Sequence, residues 1–108
     1  MTVEKLLEHG FETVTLPDPG REIDGVYIGD LLSWVMGRVR SDNAWITIMS
    51  NMNVIAVATL ADTSCVILAE GVTLPDDIRE TAEAKGVNVL TTQLPAYEAA
   101  MVLSGLLK

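Results

Sequence analysis

"SNMNVIAVATLADTSCVILAEG", residues 50 to 71, joins a helix-like segment with no charge before Asp62 to an unbroken apolar run. Between Val54 and Ala61 only Thr59 is polar. At roughly 100° per residue this leaves no side for solvent, so the spacing predicts a helix over 53–61 that is buried all round. The run "CVILA" at 65–69 reads as a strand covered on both faces, the situation of parallel sheets with helices on either side. This stretch therefore predicts an α/β domain.

The segments on either side repeat the same alternation. "AWITIM" at 44–49 and "VNVLTT" at 87–92 read as strands, and 76–85 and 96–107 as helices. Strand–helix–strand units this short favour parallel pairing, because the helix returns the chain to the starting end of the sheet. Pro75 opens the helix over 76–85, Asp76 and Asp77 complement its positive end, and Gly86 closes it, while Arg79, Glu80 and Glu83 form a solvent face. Towards the N-terminus, residues 2–9 read as a helix with Thr2 as N-cap and Gly10 as its stop. "FETVTL" alternates like a strand, "PDPG" at 17–20 makes a turn, and "EIDGVYI" at 22–28 resumes as a strand in which Gly25 marks a bulge or close approach. Asp30 is placed to cap a helix over 31–38 bearing Leu31, Leu32, Val35 and Met36, with Trp34 on another face.

One domain over residues 1–108 accounts for the whole length, since no linker interrupts the alternation. The hydrophobic fraction of 49% is high for so short a chain, which points to apolar surface covered by a partner. The helix over 53–61 needs cover on the side away from the sheet. The helix "AYEAAMVLSGLL" carries only Glu98 as a charge. A homodimer burying both faces is the expectation, the alternative being that the two helices pack on each other within one subunit. A net charge of −8 repels DNA, RNA and anionic membranes, so nucleic acid and membrane partners are not expected. The opening "MTVEKLLEHG" has neither the basic start nor the apolar run of a signal peptide, and no apolar stretch is long enough to span a bilayer, so a cytoplasmic location is expected.

Ligands of open α/β sheets sit beyond the carboxyl ends of the strands, against helix N-termini. Those positions are Ser50, Asn51 and Asn53 after one strand, Glu70 and Gly71 after the next, and Thr91 and Thr92 after the third. Their hydroxyls, amides and backbone N–H groups form one candidate site for a small polar ligand. Ser and Asn are equally suited to capping a helix, so both roles stay open for Ser50 and Asn51.

Catalytic chemistry finds no support. His9 is the single histidine and Cys65 the single cysteine, which leaves neither a zinc site nor a Cys-His dyad. Asp76 and Asp77 are explained as a helix start rather than an acid/base pair. No Walker or dinucleotide phosphate loop is present, so no cofactor, no metal and no enzymatic activity are expected. Trp45, beside Ile46 and Ile48, reads as core, and Trp34 stays open.

Arg21, Ile23 and Gly25, followed by "YIGDLLS" at 27–33, resemble the early motif of the DRTGG domains. That family is related to the N-terminal domain of HPr kinase/phosphorylases and also lies between CBS domains in some regulated pyrophosphatases. The resemblance runs from about Arg21 to Leu103. Where the family carries an Asp-Arg pair this chain has Ser50 and Asn51, and where it carries Thr-Gly-Gly this chain has Ala69, Glu70 and Gly71, so only Gly71 is kept. The resemblance implies a three-layer α/β/α domain with a mostly parallel sheet, like the HPr kinase N-terminal domain, that often dimerises and regulates without catalysis. Neutral Ser50 and Asn51 offer no guanidinium fork, and Glu70 repels anions, which disfavours a phosphate-bearing ligand. Two functions follow: a non-catalytic regulatory module that binds a small polar ligand and homodimerises, or a dimeric module that binds a protein partner and no small ligand.

Overall fold

The computed structural model describes residues 1–107. Five strands, β1 (Glu12–Thr15), β2 (Gly25–Ile28), β3 (Asn43–Thr47), β4 (Cys65–Leu68) and β5 (Val89–Thr91), form one sheet in the order β1-β5-β4-β3-β2. Strands β2 to β5 are parallel, and β1 joins β5 antiparallel. Helices α1 (Leu32–Arg38), α2 (Met52–Ala61) and α3 (Asp76–Ala84) connect successive parallel strands. Because the strands advance in one direction and such crossovers are right-handed, all three helices fall on one face. A 3₁₀ helix, Val3–Glu8, and α4 (Ala96–Leu107) cover the other.

Period-2 alternation in the sheet feeds two cores. Ala44, Ile46, Cys65, Ile67 and Leu90 face Leu6, Phe11, Ala99 and Leu103 on the α4 side. Trp45, Val66, Leu68 and Val89 face Val35, Val54, Ile55, Ile78 and Ala82 on the α1–α3 side. The unbroken apolar runs are thus explained by cover on both faces, and the architecture is the expected three-layer α/β/α sandwich. No described helix is long and apolar enough to cross a membrane.

Local differences from the sequence reading have identifiable causes. The N-terminal helix is 3₁₀ and Thr2 makes no side-chain cap, because its backbone bridges antiparallel to Glu22 while the Val3 N–H donates to the Arg21 carbonyl at 2.9 Å. That same bridge occupies Glu22, so the strand expected over 22–28 is reduced to Gly25–Ile28. Gly25 is needed for close approach: a Cβ there would lie 2.9 Å from the Asn43 Nδ2 atom. Asp30 does not cap α1, whose N-cap position is Leu31 without a side-chain bond.

The larger correction concerns α2. Val54, Ile55, Val57 and Ala58 are buried, but Met52, Ala56, Thr59 and Leu60 are exposed, Leu60 to 73%. The sheet and the flanking α1 and α3 cover the inner faces only, and α4 lies beyond the sheet. The two apolar helices therefore cannot cover each other within one chain.

Candidate functional site

The carboxyl edge of the parallel strands collects the loops that follow β2, β3, β4 and β5. Each predicted site residue stands at or just beyond that edge, since Thr47, Leu68 and Thr91 are register partners across β3, β4 and β5. Their side chains do different things there. Asn51 is the N-cap of α2, its Oδ1 accepting from the Asn53 N–H at 3.0 Å. Among the described residues, no side-chain hydrogen bond engages Ser50 or the Asn53 amide, and Asn53 is exposed. Capping thus uses one oxygen and leaves the neighbouring polar groups open.

After β4 the backbone takes two consecutive left-handed residues, Glu70 at φ 57° and Gly71 at φ 77°. The turn folds the chain onto the loop after β5, where the Glu70 N–H donates to the Leu94 carbonyl at 3.0 Å and the Gly71 N–H to the Thr92 carbonyl at 2.8 Å. These N–H groups are therefore committed within the fold and are not the free donors the sequence suggested. A Cβ at Gly71 would sit 2.9 Å from the Gln93 Oε1 atom, the free end of an exposed side chain that can swing away, so it is the left-handed backbone that calls for glycine here. Glu70 keeps its carboxylate exposed.

Thr91 and Thr92 are buried. The Thr91 hydroxyl donates to the Val72 carbonyl at 2.6 Å, and the Thr92 hydroxyl donates to the Gly10 carbonyl at 3.1 Å while accepting from the Leu94 N–H at 3.2 Å. Both hydroxyls tie loops to the sheet end. Polar groups of Ser50, Asn53, Glu70 and Gln93 face outward at this edge.

Asp30, which sequence reasoning assigned to a helix cap, organises the edge. Its Oδ1 accepts from the Thr47 hydroxyl at 2.7 Å and from the Ile48 N–H at 3.0 Å, and the Thr47 oxygen in turn accepts from the Met49 N–H at 3.1 Å. This chain fixes the loop that presents Ser50, Asn51 and Asn53. Gly29 supports it from β2: its carbonyl accepts from the Trp45 indole N–H at 2.8 Å, and a Cβ there would lie 2.8 Å from the Tyr27 ring. The "YIGD" motif was visible in sequence; that its aspartate reaches across to the next strand's loop was not.

Charge separates the two ends of the sheet. The loops at 29–31, 48–51, 69–75 and 92–95 contain Asp30 and Glu70 and no lysine or arginine. At the amino edge, Arg21 donates from Nε to Asp42 at 2.9 Å and from Nη2 to Asp42 at 2.7 Å and to the Asp62 carbonyl at 2.9 Å. Partial burial lowers the Arg21 pKa, but the hydrogen bonds and charges of Asp42 and Asp62 outweigh it and hold the guanidinium above its ordinary value. Asp42 and Asp62 both sit in left-handed backbone, at φ 66° and 59°, so Arg21 pins two strained turns. Cys65 is inert at neutral pH because burial pushes its thiol up to about 12. No cluster of His, Cys, Asp or Glu among the described residues is arranged to hold a metal ion.

No curated protein matches the chain at a significant level. Among solved structures, it is similar to the CBS and DRTGG domains of the regulatory region of a Clostridium perfringens pyrophosphatase, complexed with its activator diadenosine tetraphosphate. The match has a TM-score of 0.69 at 16% identity and covers 93% of this chain but 44% of that one. At that identity the likeness is one of fold, and the chain spans less than half of its neighbour. The DRTGG domain profile matches residues 20–106, from the segment carrying Arg21 through β2 to α4, and the chain therefore belongs to the DRTGG domain family.

Proposed function

We propose that this protein is a non-catalytic regulatory module that binds a small polar ligand at the carboxyl edge of its sheet and homodimerises. The observation that carries the reading is the Asp30–Thr47–Met49 hydrogen-bond chain, which holds a loop whose outward polar groups, on Ser50 and Asn53, have no partner within the described residues. The ligand-facing set is Ser50, Asn51, Asn53 and Glu70, with Gly71, Thr91 and Thr92 shaping the loops beneath. In the pyrophosphatase neighbour the corresponding fold lies in a regulatory region. Its polyphosphate activator does not suit this edge, where Asp30 and Glu70 place negative charge and no cation answers it. A neutral or cationic polar molecule fits better.

Native mass spectrometry of the freshly purified protein, followed by the Asn51→Ala/Asn53→Ala double variant, tests the reading. Retained extra mass that the double variant loses is the expected result. Equal retention by both, or diadenosine tetraphosphate binding at micromolar concentration, overturns the site as described. The second reading, a protein-interaction module without a small ligand, is favoured by the exposed Leu31, Trp34, Met52 and Leu60. A dimer that never carries extra mass would favour it.

A further inference from the structure

Most cations of this chain are held by carboxylates. The Met1 amino group pairs with Glu22, Lys5 with Glu8, Arg21 with Asp42 and Asp62, and Arg79 with Asp76. Among the described residues, Arg38 and Arg40 at the end of α1 have no such partner and no side-chain hydrogen bond, and neither has Lys85 at the end of α3. Instead, the Arg38 guanidinium lies over the Trp34 ring, 4.1 Å from its centroid. The helix dipole accounts for a cation at this end of α1, but not for its being drawn back over the indole. Leu31, Trp34 and Arg38 fall on one side of the helix, with Leu31 61% and Trp34 56% exposed. A Cβ at Gly37 would meet nothing within 4 Å, so no side chain shields the stack there. The face is apolar at its start and basic at its end, where Asp42 and Asp62 are turned into Arg21.

We infer that this outer face of α1 docks an acidic segment of another protein, an apolar residue of it resting on Leu31 and Trp34 and its carboxylates on Arg38 and Arg40. The inference goes beyond the readings above and depends on neither the ligand nor the dimer. Charge complementarity names the occupant. Stacking on the indole covers one face of the Arg38 guanidinium and leaves its in-plane N–H donors, already oriented, for a carboxylate. A basic segment would meet two uncompensated arginines. The chain's own acidic helix does not fit, because α3 exposes Asp76, Asp77, Glu80 and Glu83 but no large apolar side chain to cover Leu31 and Trp34. Nor does a polyanion or an anionic membrane: α1 is only about 10 Å long, and an extended negative surface would run on to the exposed Asp30 and across to α3. A short segment avoids those acids by setting its apolar end towards Asp30 and its carboxylates towards the end of α1. The acids of α3 lie beyond α2, two helix spacings or about 16–20 Å away, where a screening length of about 8 Å leaves them little effect.

Titration of the isotopically labelled full chain with the capped peptide Phe-Leu-Ser-Glu-Asp-Glu, followed by NMR, tests the surface, with Phe-Leu-Ser-Gln-Asn-Gln as the uncharged counterpart. Expected are saturable shifts of the Trp34 indole N–H and of the Gly37 and Arg38 amides, half-complete at about 1 mM peptide or below, and roughly tenfold weaker binding both for the uncharged peptide and for the Arg38→Glu/Arg40→Glu variant. The Trp45 indole N–H, held by the Gly29 carbonyl, should stay in place and shows that the variant is folded. Shifts that never saturate, equal binding of the two peptides, or binding that survives the double charge reversal overturns the inference. So does movement of the same signals on dilution of the chain alone, which would seat a second copy on α1, or a stronger response to a single-stranded oligonucleotide, which would make the partner a nucleic acid.

Discussion

Asp30 shows how much one exposed side chain can decide. Its carboxylate satisfies the hydroxyl of Thr47, which is 2% exposed, so Asp30→Ala leaves a buried donor unpaired and releases the loop that carries Ser50. A loss of about 1–3 kcal/mol in urea unfolding is expected, with ligand retention lost as well, whereas Asp30→Asn keeps an acceptor and recovers most of the stability. Gly71→Ala forces a side chain into left-handed backbone, and a loss of about 1–3 kcal/mol by the same measurement is expected. Cys65 gives a pH dependence with a defined sign. The thiol is protonated in the fold up to about 12, whereas its ordinary value is 9.0, so the unfolded chain releases the proton first. Stability is unaffected by this group below about pH 9 and falls by about 1.4 kcal/mol per pH unit above it. Thermal melting of the unaltered chain and Cys65→Ala between pH 8 and 11 should show the steeper decline only where the thiol is present.

At the scale of the element, α2 separates capping from binding. Asn51→Ala removes the acceptor for the Asn53 N–H and costs about 1 kcal/mol, while Asn53→Ala removes an exposed amide that caps nothing and leaves stability within about 0.5 kcal/mol. Unfolding curves of both variants beside their ligand retention distinguish the roles: a structural cap alone would change the first curve and neither ligand signal. The composition of α2 was legible and its burial was not. An apolar helix of this kind demands cover, but only the strand order shows that α4, the helix best suited to provide it, is held on the far side of the sheet.

For the whole molecule, the amino edge is a clamp and the carboxyl edge a platform. Arg21 joins the segment before β2 to the turns before β3 and after α2, through Asp42 and Asp62. Replacing it with alanine leaves two carboxylates facing each other in strained turns, and a loss of about 1.5–3 kcal/mol in urea unfolding is expected. Arg21→Lys should recover only part of it, since an ammonium lacks the fork that bonds both partners at once.

By itself, the sequence determined the class of fold and the place of the candidate site. Unbroken apolar strands can be buried only between two layers of helices, and short strand–helix–strand repeats force parallel pairing, so the polar residues after each strand had to gather at one edge. Which of those groups are free was settled only by tertiary structure. The hydroxyls of Thr91 and Thr92 and the N–H groups of Glu70 and Gly71 find partners in loops distant in sequence, and Asp30 meets Thr47 only because β2 and β3 are neighbours. That β2 is an edge strand is likewise invisible along the chain, because being an edge is a property of strand order and not of any strand.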